Sequence, residues 1–245
     1  MIHQFNNGKL IKDNILDPSF INLIDKYPLI IADPPYGDIV KEKWDNWGYK
    51  EYIELAKVIE KALTKGGSAY VWGGIGKYKN RTFFKFLANV EEETNLHLRN
   101  VITWNKKRAY GKSDDYLFTR EEVAWLVNGD NPEIFNIPLL DEKRGYAGYN
   151  AKYPAKSEYK RRTNVWTDIT EVFSGKKHKC EKPEKLAEVM INTHTNPGDE
   201  VLDLFAGSGN TSLVASRLGR RFVAVENDEM VCKLLLERLN ETLQA

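Results

Sequence analysis

Hydrophobic residues along the 245-residue chain alternate between short solid runs and helical faces. Residues 28–32 (Pro-Leu-Ile-Ile-Ala) form an apolar run closed by two prolines. That pattern predicts a buried strand with an abrupt end, because proline donates nothing to a ladder. From 49 to 63 the period becomes helical, with Tyr52, Leu55, Ala56, Ile59 and Leu63 on one face. Thr64-Lys65-Gly66-Gly67 is the expected stop. A strand over 68–72, a helix over 81–93 and strands over 98–104 and 122–127 follow, with Phe83, Phe84, Leu87 and Val90 as the inward face of that helix. Between 128 and 179 the periodicity fails, and Gly, Pro, Tyr and basic residues dominate. A loop-rich stretch of this length inside a compact domain is generally functional or disordered. Order returns with a helix over 184–193, opened by Pro183 and turning Leu186, Val189 and Met190 inward. A strand over 200–205, a helix over 209–218, a strand over 221–226 and a helix over 229–243 complete the chain.

Strands alternating with helices imply an α/β fold with a parallel sheet covered on both faces. Ligands of such sheets bind beyond the carboxyl ends of the strands. Two predicted strand ends carry unusual chemistry.

The first is Val201-Leu202-Asp203-Leu204-Phe205-Ala206-Gly207-Ser208-Gly209-Asn210-Thr211, which runs strand, glycine turn, helix. The glycines allow a sharp turn and close approach of a ligand to the backbone, and the helix start offers free N–H groups. The next strand ends in Glu226, followed by Asn227, at the distance where an acidic residue grips ribose hydroxyls. The dinucleotide fingerprint is incomplete, since Ser212 stands where its third glycine belongs. Asp203 is also ill-suited to a neighbouring pyrophosphate. A cationic nucleoside such as S-adenosylmethionine matches the acidic loop better than a nicotinamide dinucleotide does.

The second is Asp33-Pro34-Pro35-Tyr36, directly after a buried strand. The exocyclic amine of adenine or cytosine is a poor nucleophile, because its lone pair is delocalised into the ring. Acceptors aimed at its two N–H bonds favour the pyramidal geometry that can take up a methyl group. The Asp33 carboxylate and the Pro34 carbonyl supply such acceptors, and proline rigidity pre-sets them. Tyr36 offers a flat face for stacking. A base in a duplex must be flipped out to reach such a pocket, at a cost of a few kcal/mol, and stacking returns roughly 1–3 kcal/mol.

Composition is that of an ordinary globular protein, 42% apolar and 29% charged. No apolar run near the start approaches a membrane span, and no apolar signal region opens the chain. Two cysteines and four histidines without ligand spacing leave no disulfide framework and no metal site in prospect. A cytoplasmic setting, without membrane or metal, is expected. The net charge of +1 argues against a uniformly basic nucleic-acid binder, but it is a sum of unlike parts. Residues 143–162 carry a net +6 and 186–245 a net −4. The basic block consists of Lys143, Arg144, Lys152, Lys156, Lys160, Arg161 and Arg162, interleaved with tyrosines. Such a block suits a phosphate backbone.

The tetrapeptide Asp33–Tyr36 resembles the catalytic motif of the DNA amino-methyltransferases, and Phe205–Gly209 resembles their cofactor loop. With the catalytic motif first and the cofactor loop last, the order is similar to that of the permuted β-class. After Gly209 only one strand and two helices remain, so the other strands must come from the N-terminal portion. The resemblance implies a Rossmann-like, doubly wound, circularly permuted methyltransferase sheet. Residues 1–127 would form its catalytic half, 180–245 its cofactor half, and 128–179 a loop-rich target-recognition insert. It also implies transfer of a methyl group from S-adenosylmethionine to adenine N6 in double-stranded DNA. Asp rather than Ser at position 33 favours adenine over cytosine N4. His178, Lys182 and Pro183 match the segment that precedes the cofactor loop, Asp13 an acidic residue near the cofactor adenine, and 101–106 a further family segment. Gly37, Leu204, Asn210 and the stretch 179–181 depart from the family pattern. A homodimer is compatible with this reading. A non-catalytic module that keeps the cofactor fold, and a nicotinamide-dependent oxidoreductase, are the competing classes.

Overall fold

The computed structural model describes residues 1–37, 47–74, 81–145, 157–172, 175 and 181–243. The N-terminal portion supplies strands β1 (Ile2–Phe5), β2 (Gly8–Lys12) and β3 (Tyr27–Ala32), helix α1 (Tyr49–Ala62) and strand β4 (Leu63–Gly73). Helix α2 (Thr82–Glu93) and strands β5 (His97–Tyr110) and β6 (Phe118–Val127) follow. Three short strands come next, β7 (Leu139–Lys143), β8 (Tyr159–Arg161) and β9 (Val165–Trp166). The C-terminal portion is α3 (Glu184–His194), β10 (Glu200–Asp203), α4 (Asn210–Arg217), β11 (Arg221–Glu226) and α5 (Glu229–Leu243).

Nine strands form one sheet in the order β1-β2-β11-β10-β3-β4-β6-β5-β9 among the described residues, while β7 and β8 pair separately. The run from β2 to β4 is parallel. The expected parallel sheet is found at the centre, with antiparallel strands added on both flanks. β1 pairs antiparallel with β2, and β6 runs antiparallel to both β4 and β5. An antiparallel pair needs only a short connection, whereas a parallel one needs a crossover. The 118–127 strand therefore returns beside β5 without an intervening helix.

Alternate residues of β3 feed opposite cores. Ile30 and Ala32 pack with Tyr52, Leu55 and Ile59 of α1 and Phe83 and Phe86 of α2. Leu29 and Ile31 pack with Leu186 and Met190 of α3, Leu213 of α4 and Leu235 of α5. The helix after β10 thus lies on the face opposite the helix after β3. Since β10 and β3 are neighbours, the crossovers diverge between them and open a crevice at their carboxyl ends.

Three local expectations differ from what is found. Helix α1 does stop before Thr64–Gly67, but these residues already belong to the next strand, which was expected only from 68. β4 begins at Leu63, and its first residues bulge between the pairings Tyr27↔Leu63 and Leu29↔Ser68. Gly66, at φ +72°, takes up the irregularity. On α2 the buried face is Phe83, Phe86 and Val90, while Phe84 is exposed. Two adjacent aromatic residues cannot share one helical face. Finally, among the described residues of 128–179, where no period was read, β9 pairs with β5 at Thr103↔Val165 and Trp104↔Trp166 and so extends the main sheet.

Candidate active site

A cavity of about 1050 Å³ opens at the carboxyl ends of β3, β10 and β11. Asp33–Tyr36 borders it on one side and Asp203–Ser208 with Glu226 on the other. Ile31 pairs with Asp203 across the two strands, so both unusual strand ends leave the sheet side by side.

In the glycine turn, Gly207 and Gly209 both adopt positive φ. A Cβ on Gly209 would lie 2.2 Å from Leu235 Cδ1, so this glycine serves the turn's conformation. It does not line the cavity, whereas Ser208, Asn210 and Thr211 do. Glu226 Oε2 accepts the Gly207 amide at 3.0 Å, and its Oε1 accepts the amides of Asn227 and Asp228. Its carboxylate is therefore fixed at the rim, with acceptor capacity left over. The Asp13 amide donates to the Glu226 carbonyl at 3.1 Å, which brings Asp13 beside Asn227 at the same end of the cavity. Burial pushes the Asp203 carboxyl up to about 7, and the nearby Asp33 and Glu226 add to the shift. A carboxyl held up in this way gains from a cationic ligand. These acidic acceptors thus fit a nucleoside with a ribose diol and a positive charge. Lys182 and Pro183 border the same space, while His178 lies outside the described residues.

At the Asp33 end two further groups complete the site: Glu121, which the sequence did not single out, and Lys106, the last residue of the family-like segment 101–106. Glu121 lies near the start of β6, and Lys106 near the end of β5. Tyr36 Oη donates to Asp33 Oδ1 at 2.9 Å or to Glu121 Oε2 at 3.1 Å. Lys182 Nζ lies 2.6 Å from Asp33 Oδ2 and 3.2 Å from Glu121 Oε2. Lys106 Nζ lies 2.7 Å from Glu121 Oε1. Burial raises the Asp33 carboxyl, against the pull of Lys182. Burial also opposes ionisation of Glu121, but Lys182 and Lys106 overcome it and hold that carboxyl down at about 2. Burial and the neighbouring carboxylates push the Tyr36 hydroxyl well up, so it stays protonated. Trp72 and Trp104 meet edge to face and wall this end. The signal for Glu121 was present as a pair of carboxylates, Glu121 and Glu122, directly before the apolar run 123–127. Its meaning depended on β6 being antiparallel, which sets the start of β6 beside the carboxyl ends of β3 and β4.

Trp47 packs edge-on against Tyr52 and Phe205, and Trp44 lies outside the described residues. Asp228 accepts the amides of Met230 and Val231 and so caps the start of α5.

The model of the N6/N4 DNA methylase family matches residues 27–237. The chain belongs to that family. The methylase is 29% identical to the type II methyltransferase M2.DpnII of Streptococcus pneumoniae, across 97% of this chain and 93% of the relative. It is 32% identical to M.BamHI of Bacillus amyloliquefaciens, over 86% of this chain and 52% of that protein. It is 27% identical to the DNA adenine methyltransferase YhdJ of Escherichia coli, over 86% and 76%. Among solved structures, the cytosine-N4-specific PvuII DNA methyltransferase superposes with a TM-score of 0.70 at 18% identity, over 98% of this chain and 93% of that one. M1.HpyAVI in complex with SAM gives 0.66 at 22%, over 95% and 99%. The methylase therefore has the methyltransferase fold, and the oxidoreductase class is set aside.

The methylase's basic block is less uniform than its count. Lys160 pairs with Glu142, and Lys143 lies 3.8 Å from Glu158, so including Asp141 and Glu142 the stretch carries a net +4. Arg144 donates to the Tyr159 carbonyl, and the Arg161 guanidinium lies over Phe135. Arg162 is removed from the phosphate-facing set. Its side chain is 5% exposed, grips Asp168 through two bonds of 2.5 and 2.7 Å, and covers Trp166. Lys152 and Lys156 lie outside the described residues.

Proposed function

We propose that this methylase transfers a methyl group from S-adenosylmethionine to the exocyclic N6 of an adenine flipped out of double-stranded DNA. The observation that carries the reading is one cavity bordered by both Asp33–Tyr36 and the acidic glycine turn, in a chain of the DNA methylase family. S-adenosylmethionine supplies an electrophilic methyl on a sulfonium with a good leaving group. Asp203, the 205–208 turn and Thr211 would hold its amino-acid portion, and Glu226 with Asp13 its ribose and base. Asp33 and the Pro34 carbonyl accept the two N–H bonds of the target amine and aim its lone pair into the cofactor lobe. Tyr36 and Trp72 border the space for the base. No covalent intermediate with the protein is needed. Phosphate contacts from Lys143, Arg144, Lys160 and Arg161 would hold the duplex, with 128–179 as the recognition region.

Incubation with labelled cofactor and unmodified DNA, followed by nucleoside analysis, should show label in N6-methyladenine. Label confined to N4-methylcytosine would overturn the adenine reading and leave the family assignment standing. Replacing Asp33 by Ala should lower turnover by about 10²-fold or more, the scale of losing a preorganised acceptor.

A further inference from the structure

The acceptor meant for the target amine is not free in this site. Lys182 Nζ donates to Asp33 Oδ2 at 2.6 Å, and also reaches Tyr36 Oη and Glu121 Oε2, each at 3.2 Å. An ammonium has three N–H bonds, and these three oxygens use all of them. The group also sits 5.3 Å from the Tyr36 ring centre and 5.1 Å from that of Trp72. It thus stands in the space proposed for the base. An amine approaching Asp33 Oδ2 meets a stronger, charged donor already in place.

Glu121 has no role in the chemistry proposed above, yet its carboxylate is largely buried beside that chemistry, with its side chain 15% exposed. Lys106 anchors its far oxygen, so Glu121 is held still while its near oxygen faces Lys182. The backbone around Lys182 is fixed too. Its carbonyl accepts Asn210 Nδ2 at 2.6 Å, and Pro183 directly precedes α3. A hand-over between the two carboxylates therefore needs only a shift of the Lys182 ammonium, which already reaches both.

We propose that Lys182 is a place-holder on Asp33, and that Glu121 is the positioning residue that takes Lys182 over when the target amine arrives. Glu121 already lies within reach, so the ammonium stays paired throughout and Asp33 regains its full acceptor strength. The alternation Asp33, Lys182, Glu121, Lys106 is what makes the hand-over cheap. This inference rests on the methyl-transfer reading given above.

The test is steady-state kinetics of Glu121→Gln, Lys182→Met and the double variant, with cofactor affinity measured by calorimetry on each. With Gln at 121 the ammonium has one carboxylate left and stays on Asp33. Turnover should fall about tenfold, with cofactor affinity within twofold of wild type. Adding Lys182→Met should remove that loss, so that the double variant matches Lys182→Met alone. Losses that multiply in the double variant, or wild-type turnover in Glu121→Gln, overturn the proposal.

Lys182→Met carries a second readout. Asp33 faces Tyr36 from its own turn, Lys182 from the segment before α3, Glu121 from β6 and Asp203 from β10. Without Lys182 the carboxylates dominate, and Asp33 ionises only at higher pH. The acidic limb of the turnover profile should move up, and an unmoved limb also overturns the proposal. Should Glu121→Gln fail to bind cofactor as a folded protein does, Glu121→Asp keeps the carboxylate and should retain most turnover. Loss equal to that of Ala at 121 would point to packing alone. A wild-type chain that methylates no DNA refutes the methyl-transfer reading itself, which these comparisons among variants leave distinct.

Discussion

Asp203 joins burial to ligand choice at a single side chain. It is 5% exposed, and its carboxyl is pushed up to about 7 by burial first and by Asp33 and Glu226 after it. Unfolded, it would ionise near 4. Folding therefore loses stability from this group as pH rises from about 4 to 7, because only the unfolded chain ionises in that window. A cation in the cavity reverses the balance by favouring the carboxylate. Cofactor binding should weaken as pH falls below 7 and should release protons near pH 7. Calorimetry in two buffers of different ionisation enthalpy measures that release. Asp203→Asn should abolish it and should stabilise the ligand-free protein at pH 8 by a few kcal/mol at most. Proton release unchanged in Asp203→Asn would assign the titration elsewhere. Asp203 was legible in the sequence because its strand and turn were. Glu121 was not, because its place in the site comes from long-range pairing with no local trace beyond two carboxylates.

At the scale of elements, the strand–turn–helix units were the readable part. β11 and α5 lie where the hydrophobic period placed them, and β3, α1 and α3 differ by a residue or so at their ends. The antiparallel flank and the bulged start of β4 were hidden, since a ladder's direction leaves no mark in a single strand's pattern. The glycine turn invites a direct test. Gly209 sits at φ +86° with Leu235 against the position of a Cβ. Gly209→Ala should cost about 1–3 kcal/mol of stability through strain and overpacking, and should weaken cofactor binding without touching Asp33. A wild-type melting temperature would show that the turn relaxes freely. The β7–β8 ribbon separates two kinds of basic residue. Replacing Lys143, Lys160 and Arg161 by Ala should flatten the salt dependence of DNA binding, by about 0.9 in log–log slope for each phosphate no longer neutralised. Arg162→Ala should leave that slope alone. It should instead lower stability by roughly 2 kcal/mol, less than the full cost of breaking a buried pair because Asp168 is 40% exposed. A slope that changes with Arg162 and not with the other three would invert the assignment.

At the scale of the whole molecule, sequence order and spatial order part company. β10 arrives late in the chain and is inserted between β3 on one side and β11 on the other, with N-terminal β2 beyond β11. The order of the two motifs along the chain was enough to foresee this, because too few strands follow the glycine turn to build a sheet. The consequence is energetic. Without β10, strand β3 has an open edge, and Leu29 and Ile31 lose the cover of α3 and α4. An open apolar edge exposes unpaired backbone groups and buried side chains together. A fragment of residues 1–127 should therefore show no cooperative unfolding transition. The full chain should unfold in one transition whose free energy rises by about 2.7 kcal/mol with S-adenosylmethionine at one hundred times its Kd. The expectation of one transition rests on the cavity, since Lys12 to Tyr36 border it from one end of the chain and Lys182 to Glu229 from the other. Cofactor bound there ties the two portions together, so unfolding either one releases it. A 1–127 fragment that melts sharply, or a full chain in which the cofactor moves only one of two transitions, would show that the halves are separate folding units sharing a sheet only by contact.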